Sequence, residues 1–87
     1  KNQYLFFFVN RLCKEVDVMF VIGGLHSANT REMATLCREA GTDTYHIETW
    51  EQFESKMAAG KKMAGVTAGA STPEWVISDF VDRLKAI

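Results

Sequence analysis

Five consecutive apolar residues, Val18-Met19-Phe20-Val21-Ile22, run into a Gly23-Gly24 pair, and this run restricts the possible folds more than any other stretch of the chain. A strand that alternates apolar and polar side chains can leave one face in water. A strand with no polar position must be covered on both faces, as in an all-parallel sheet. The covering layers are visible on either side of it. Leu5, Phe8, Val9, Leu12 and Val16 recur at helical spacing, so residues from about Asn2 to Glu15 read as an amphipathic helix, with Phe6-Phe7-Phe8 as a competing strand signal. Beyond the glycine pair, Met33, Leu36, Cys37 and Ala40 mark a second helix, opened by Asn29-Thr30-Arg31-Glu32 as a capping box and closed by Gly41. Thr44 to Ile47 reads as a short strand, and Thr49 with Gln52 as the capping box of a third helix, buried through Trp50, Phe53 and Met57 and ended by Gly60. Met63 to Ala68 is a third strand, thin in bulk at Ala64 and Gly65. Ser71-Thr72-Pro73-Glu74 then opens a last helix with the apolar stripe Val76, Phe80, Val81 and Leu84. Trp50 and Trp75 read as packing residues on helix faces.

The order α-β-α-β-α-β-α predicts an α/β fold: a three-stranded parallel sheet with helices on both faces, joined by right-handed crossovers. Strand order 2-1-3 follows from placing the apolar run at the centre, since the two crossovers then lie on opposite faces and create a switch point. A chain of 87 residues has room for one such unit, so residues 1–87 are expected to form a single α/β domain. The first residue is Lys1 rather than Met and an apolar stretch follows at once, which reads as a chain cut from something longer.

Composition narrows the function classes. Hydrophobic residues at 47% and charged residues at 24% suit a folded globule rather than a disordered segment. The formal net charge is −1 and the cations are scattered singly, so there is no basic stripe for nucleic acid or an anionic membrane. The apolar runs are too short to span a bilayer and no charged segment precedes an export signal, so a cytoplasmic location is expected. Cys13 and Cys37 lack C-x-x-C spacing and fall within helical patterns, which reads as reduced core thiols; no Cys and His cluster has metal-ligand spacing.

The chemistry is expected where the strands end. Gly23 to Thr30 follows the first strand and Thr67 to Pro73 follows the third; both loops are small, rich in hydroxyls, and lead into helix N-termini. Free backbone N–H groups and the positive end of the helix dipole favour an anion there, and glycine lets the backbone approach it. Ser27, Asn29 and Ser71 are expected to aim donors at one shared position, with Thr30, Thr72 and His26 as accessory groups. Neither loop contains a lysine or arginine; Arg31 is the nearest cation in sequence. The same residues are good N-caps, and the pattern supports capping and anion binding equally, neither excluding the other. Neither loop matches G-x-G-x-x-G or a P-loop, and no nucleophile elbow is present.

At these loops the sequence resembles the C-terminal region of the 4-hydroxy-3-methylbut-2-enyl diphosphate reductase family. Val16-Asp17 through Gly24, followed by Ser27-Ala28-Asn29-Thr30, is similar to the family stretch V-D-x-x-x-V-x-G-G-K-N-S-S-N-T. Gly65-Val66-Thr67-Ala68-Gly69-Ala70-Ser71-Thr72-Pro73-Glu74-Trp75 matches its G-V-T-A-G-A-S-T-P-x-W, and Tyr45-His46-Ile47-Glu48 resembles its Y-x-I-E. The resemblance covers roughly Cys13 to Leu84. It implies the C-terminal third of an iron–sulfur oxidoreductase of the methylerythritol phosphate isoprenoid pathway. That enzyme removes the allylic hydroxyl of its substrate with two electrons and two protons, giving isopentenyl and dimethylallyl diphosphates. The family's substrate diphosphate is held by positions that correspond to Ser27, Asn29 and Ser71. The family's second loop serine falls on Ala28, and its K-N pair is Leu25-His26 here. Its T-x-x-R-Q segment aligns near Asn2 to Phe6, where Leu5 and Phe6 replace Arg and Gln.

The resemblance also implies what the chain lacks. The three cysteines of a [4Fe-4S] cluster, the catalytic histidines and the glutamate proton donor correspond to positions upstream, so no catalytic residue and no metal ligand is expected among these residues. Ferredoxin or flavodoxin is the implied electron donor of the full enzyme, and the chain alone is expected to be inactive. Two rivals stand beside this reading. One is a non-catalytic binding or interaction module of the same fold with a decayed site, suggested by Ala28 and Leu25. The other is a flavodoxin-like or receiver-like module, disfavoured by the absence of an acidic cluster after the first strand and of a flavin-stacking aromatic in either loop.

Overall fold

The computed structural model describes residues 15–87. The expected first helix, from about Asn2, lies outside the described residues except for its last position, and so do Cys13 and the aromatic run at Phe6 to Phe8. Within them the elements are β1 (Val18–Ile22), α1 (Ala28–Glu39), β2 (Asp43–Ile47), two single 3₁₀ turns (Trp50–Gln52 and Ser55–Met57), β3 (Ala64–Ala68) and α2 (Glu74–Lys85). The sheet is parallel with order β2-β1-β3, the order expected from the central apolar run.

All five residues of β1 are wholly buried, and alternation divides them between two cores. Met19 and Val21 point to one face and pack against Met33, Ala34 and Cys37 of α1. Val18, Phe20 and Ile22 point to the other, where they meet Ile47, Ala68 and Phe80, with Tyr45, Trp50, Phe53, Val76 and Leu84 packed around them. That second core is largely aromatic. Phe20 and Phe80 lie 5.3 Å apart between ring centroids, and Trp50 meets Phe80 edge-on at the same distance. Truncating a buried aromatic of this kind costs about 3–5 kcal/mol, a large part of the stability of so small a domain.

Four expectations are corrected. The helix predicted across Trp50 to Gly60 is two 3₁₀ turns. In a 3₁₀ turn side chains three apart eclipse one another, and this lets Trp50 stack on Phe53 with centroids 4.5 Å apart and planes 11° from parallel. The first-face helix starts earlier than predicted. Its N-cap is Ser27, so Asn29 lies in the first turn rather than opening a capping box. Trp75 is 71% exposed rather than packed. Cys37 is buried as expected, but it is disulfide-bonded rather than a reduced thiol. The predicted stop at Gly41 agrees with the structure. The N–H of Gly41 donates to the Arg38 carbonyl and that of Thr42 to the Cys37 carbonyl, with Gly41 at φ +89, the paired bonds of a Schellman cap.

At the amino ends of the strands, Asp17 ties β1 to β3. Its carboxylate accepts from the Lys62 and Met63 N–H groups at 2.9 and 3.1 Å, and its own N–H donates to the Met63 carbonyl at 2.8 Å. The two accepted backbone bonds hold the Asp17 carboxyl below its ordinary pKa. A depressed carboxyl stabilises the fold fully above its unfolded pKa and loses that contribution as pH falls through the folded one. The denaturation midpoint of the unmodified chain should therefore fall more steeply below about pH 4 than that of Asp17→Asn. Parallel pH dependences in urea titrations would contradict the assignment.

Candidate functional site

Because β1 lies between its two partners and all three strands run the same way, their carboxyl ends emerge side by side. Ile22 pairs with Ile47 on one flank and with Ala68 on the other. The ladder continues one residue past each end. The Gly23 N–H donates to the Ile47 carbonyl at 3.1 Å, and the Gly69 N–H donates to the Ile22 carbonyl at 3.0 Å. The two loops that the sequence singles out therefore start from adjacent points, as a switch point requires.

Thr30 fills the space between them. It is fully buried, although it sits in the first turn of α1. A Cβ on Gly23 would lie 2.8 Å from the Thr30 hydroxyl and 3.1 Å from that of Thr72, and a Cβ on Gly69 would collide with the same Thr30 hydroxyl. Glycine is needed at both loop starts because a threonine occupies the volume a side chain would take.

The hydroxyls divide into two kinds. Thr72 donates to the Ile22 carbonyl at 3.1 Å, and Thr30 donates to Ser27 Oγ at 3.1 Å; both protons are committed within the protein. Ser27 is half-buried and accepts from the Thr30 N–H as the cap of α1. Ser71 is exposed. At the other helix start, Pro73 occupies the cap position of α2 with no side-chain bond to the first-turn amides, so that turn has no capping side chain.

A cavity of about 300 Å³ opens here, lined by Gly23, Gly24, Glu48, Ser71, Thr72, Pro73 and Val76. It brings the first-loop glycines together with Ser71 and Thr72 of the second loop. Ser27 and Asn29 are not among its lining residues; Ser27 is hydrogen-bonded to Thr30, which fills the junction, while Asn29 is half-buried in the first turn of α1. Ala28 and His26 are exposed.

Two residues at the site are ones that loop reasoning misses. Glu48 lines the cavity, and its carboxylate accepts from the Leu25 N–H at 3.4 Å. His46 Nε2 lies 3.2 Å from the Gly23 carbonyl, so the peptide groups on both sides of Gly23 are met from β2, one at its N–H by the Ile47 carbonyl and the next at its C=O by His46. The signal was present in the sequence. Both residues stand at the carboxyl end of β2, which any order with β1 at the centre brings to the same place as the two loops.

The packing of Thr30 gives a direct prediction. Gly69→Ala must push the Thr30 side chain aside, and should lower the unfolding free energy by about 1–3 kcal/mol, the scale of overpacking in a tight interior. A stability within error of the unmodified chain in chemical denaturation would show that the junction is looser than described.

Residues 8–85 match the family described as LytB protein. The chain is 43% identical over 76 residues to 4-hydroxy-3-methylbut-2-enyl diphosphate reductase of Sulfurovum sp. strain NBC37-1, covering 87% of this chain and 27% of that protein. It is 44% identical over 79 residues to the protein of the same name from Aquifex aeolicus, covering 91% and 27%. A solved structure of (E)-4-hydroxy-3-methyl-but-2-enyl diphosphate reductase, described as the terminal enzyme of the non-mevalonate pathway, superposes with a TM-score of 0.94 at 41% identity, over 99% of this chain and 31% of that one. The Plasmodium falciparum reductase shares the fold, with a TM-score of 0.90 at 21% identity. The chain thus spans about a quarter to a third of the length of the proteins it matches.

Proposed function

Since the chain belongs to the LytB family, we propose that it is the part of a 4-hydroxy-3-methylbut-2-enyl diphosphate reductase that grips the substrate diphosphate, through Ser27, Asn29 and Ser71. One observation carries the reading: the two strand-to-helix loops meet around Thr30, beside a cavity lined by residues of both. Two helix starts face this junction. Their amides and dipoles suit an anion, and the serine hydroxyls are the loop hydroxyls whose protons the fold does not already use. Thr30 and Thr72 then act on the shape of the site rather than as contacts, and His26 and Arg31 stand outside it.

The single-domain reading of residues 1–87, as the C-terminal third of the full reductase, belongs to the same proposal, with missing N-terminal domains as its partners. So do reduction of the substrate to isopentenyl and dimethylallyl diphosphates, a [4Fe-4S] cluster, ferredoxin or flavodoxin as electron donor, and a cytoplasmic location. Among the described residues no three His, Cys, Asp or Glu side chains converge, and Cys37 is disulfide-bonded, so these residues do not fit a cluster. On this reading the cluster and the reducing chemistry belong to parts of the enzyme beyond this chain. No helix among the described residues is long and apolar enough to cross a membrane.

The second reading, a binding module with a decayed site, is favoured by Ala28, which offers no hydroxyl, and by the Glu48 carboxylate in the cavity. Calorimetry with pyrophosphate separates the two. The diphosphate reading expects measurable binding by the unmodified chain and a loss on the order of thirtyfold in Ser27→Ala/Ser71→Ala, at about 1 kcal/mol per hydrogen bond. Unchanged binding in the double variant rejects the assignment, and no binding by the unmodified chain favours the decayed module. Glu48→Gln removes a negative charge from the cavity and should tighten pyrophosphate binding about fivefold, since one charge a few ångströms away is worth about 1 kcal/mol in water. Weaker binding by this variant would place the anion elsewhere.

A further inference from the structure

We propose that Thr30 is a positioning residue that fixes the Ser27 hydroxyl as an outward hydrogen-bond donor, without itself touching the anion. The inference rests on the diphosphate reading and gives the α1 side of that site a mechanism. A hydroxyl has one proton to give and two lone pairs to fill. Both Ser27 lone pairs are filled from within the first turn of α1, by the Thr30 N–H at 3.4 Å and the Thr30 O–H at 3.1 Å. The direction of the second bond follows from burial. Thr30 is 0% exposed, and among the described residues Ser27 Oγ is the acceptor its proton reaches; turning the bond around would leave that proton unsatisfied in the core. Ser27 is only half-buried, so its own proton can find a partner outside. With both lone pairs occupied, that proton cannot fold back onto the helix and must point away from it.

The fold holds Thr30 to this task. A β-branched side chain in a helix is already stiff about χ1. Gly23 approaches both of its branches so closely that a Cβ there would lie 2.8 Å from Oγ1 and 2.9 Å from Cγ2, and Gly69 closes on Oγ1 from the other loop. The hydroxyl therefore has one place to be. A chain of two hydroxyls ending on an anion is also polarised along its length, which strengthens the last donor. Capping and anion binding, which the sequence pattern leaves as alternatives, become one arrangement: Ser27 accepts in order to cap α1 and, because it accepts, can only donate outward.

The test is a double-variant cycle read by pyrophosphate calorimetry on the full chain, with amide-resolved NMR as a control for folding. Thr30→Val removes the hydroxyl and keeps the branched shape; it should weaken pyrophosphate binding about fivefold, the scale of one hydrogen bond. Thr30→Ser, which restores a hydroxyl, should bind within about twofold of the unmodified chain. On a Ser27→Ala background Thr30→Val should cost less than about twofold, because the group it acts through is gone. An equal loss on both backgrounds, or no loss in Thr30→Val, overturns the proposal while leaving the diphosphate reading intact. No pyrophosphate binding by the unmodified chain rejects that reading and this inference with it. Should Thr30→Val fail to fold, the unmodified chain decides the matter. A slowly exchanging Thr30 hydroxyl proton with a cross-peak to the Ser27 β-protons supports the bond, and its absence overturns it.

Discussion

Covering both sides of a five-residue strand that has no polar position is the constraint from which the rest of this structure follows. β1 makes no contact with water, so one crossover must run over its Met19 and Val21 side and the other over its Phe20 side. Parallel strands joined through opposite faces place the first strand in the middle, and strands that run the same way end at the same edge. The meeting of the Gly23 and Gly69 loops is thus a consequence of core burial, and the polar chemistry at that edge occupies a position set by apolar residues elsewhere.

Much of this architecture is legible in the sequence because it depends on patterns that no tertiary contact needs to amend. The limits of β1, the Gly41 stop and the sheet order can be read from an unbroken apolar run, a glycine beyond a helical stripe, and the geometry of crossovers. The segment after β2 is not legible in the same way. Trp50, Phe53 and Met57 are spaced as a helix would space them, but the energy lies in stacking one indole on one phenyl ring and wedging both against Phe80. Periodicity reports which side chains are buried and says less about the backbone that delivers them.

The candidate site divides along the same line. Ser27 and Ser71 can be singled out as candidates from residue type and place, but the burial of Thr30 between the two loops cannot. Threonine beside serine in a loop looks like one more donor, and only burial and the two glycine contacts show that its proton is already used. Glu48 and His46 escape a loop-by-loop reading because they belong to a strand end that enters the site only once the sheet is assembled.

The register between β1 and β3 joins residues 46 apart in sequence, Val18 with Ala64 and Ile22 with Ala68. Contacts of such long range carry a larger loop-closure cost than local ones. The edge that gathers both loops therefore does not exist in any partly folded form that lacks β3. A ligand held across it would bind the finished fold and nothing before it, drawing the folding equilibrium toward completion and making occupancy of the site a reporter of the chain's maturity.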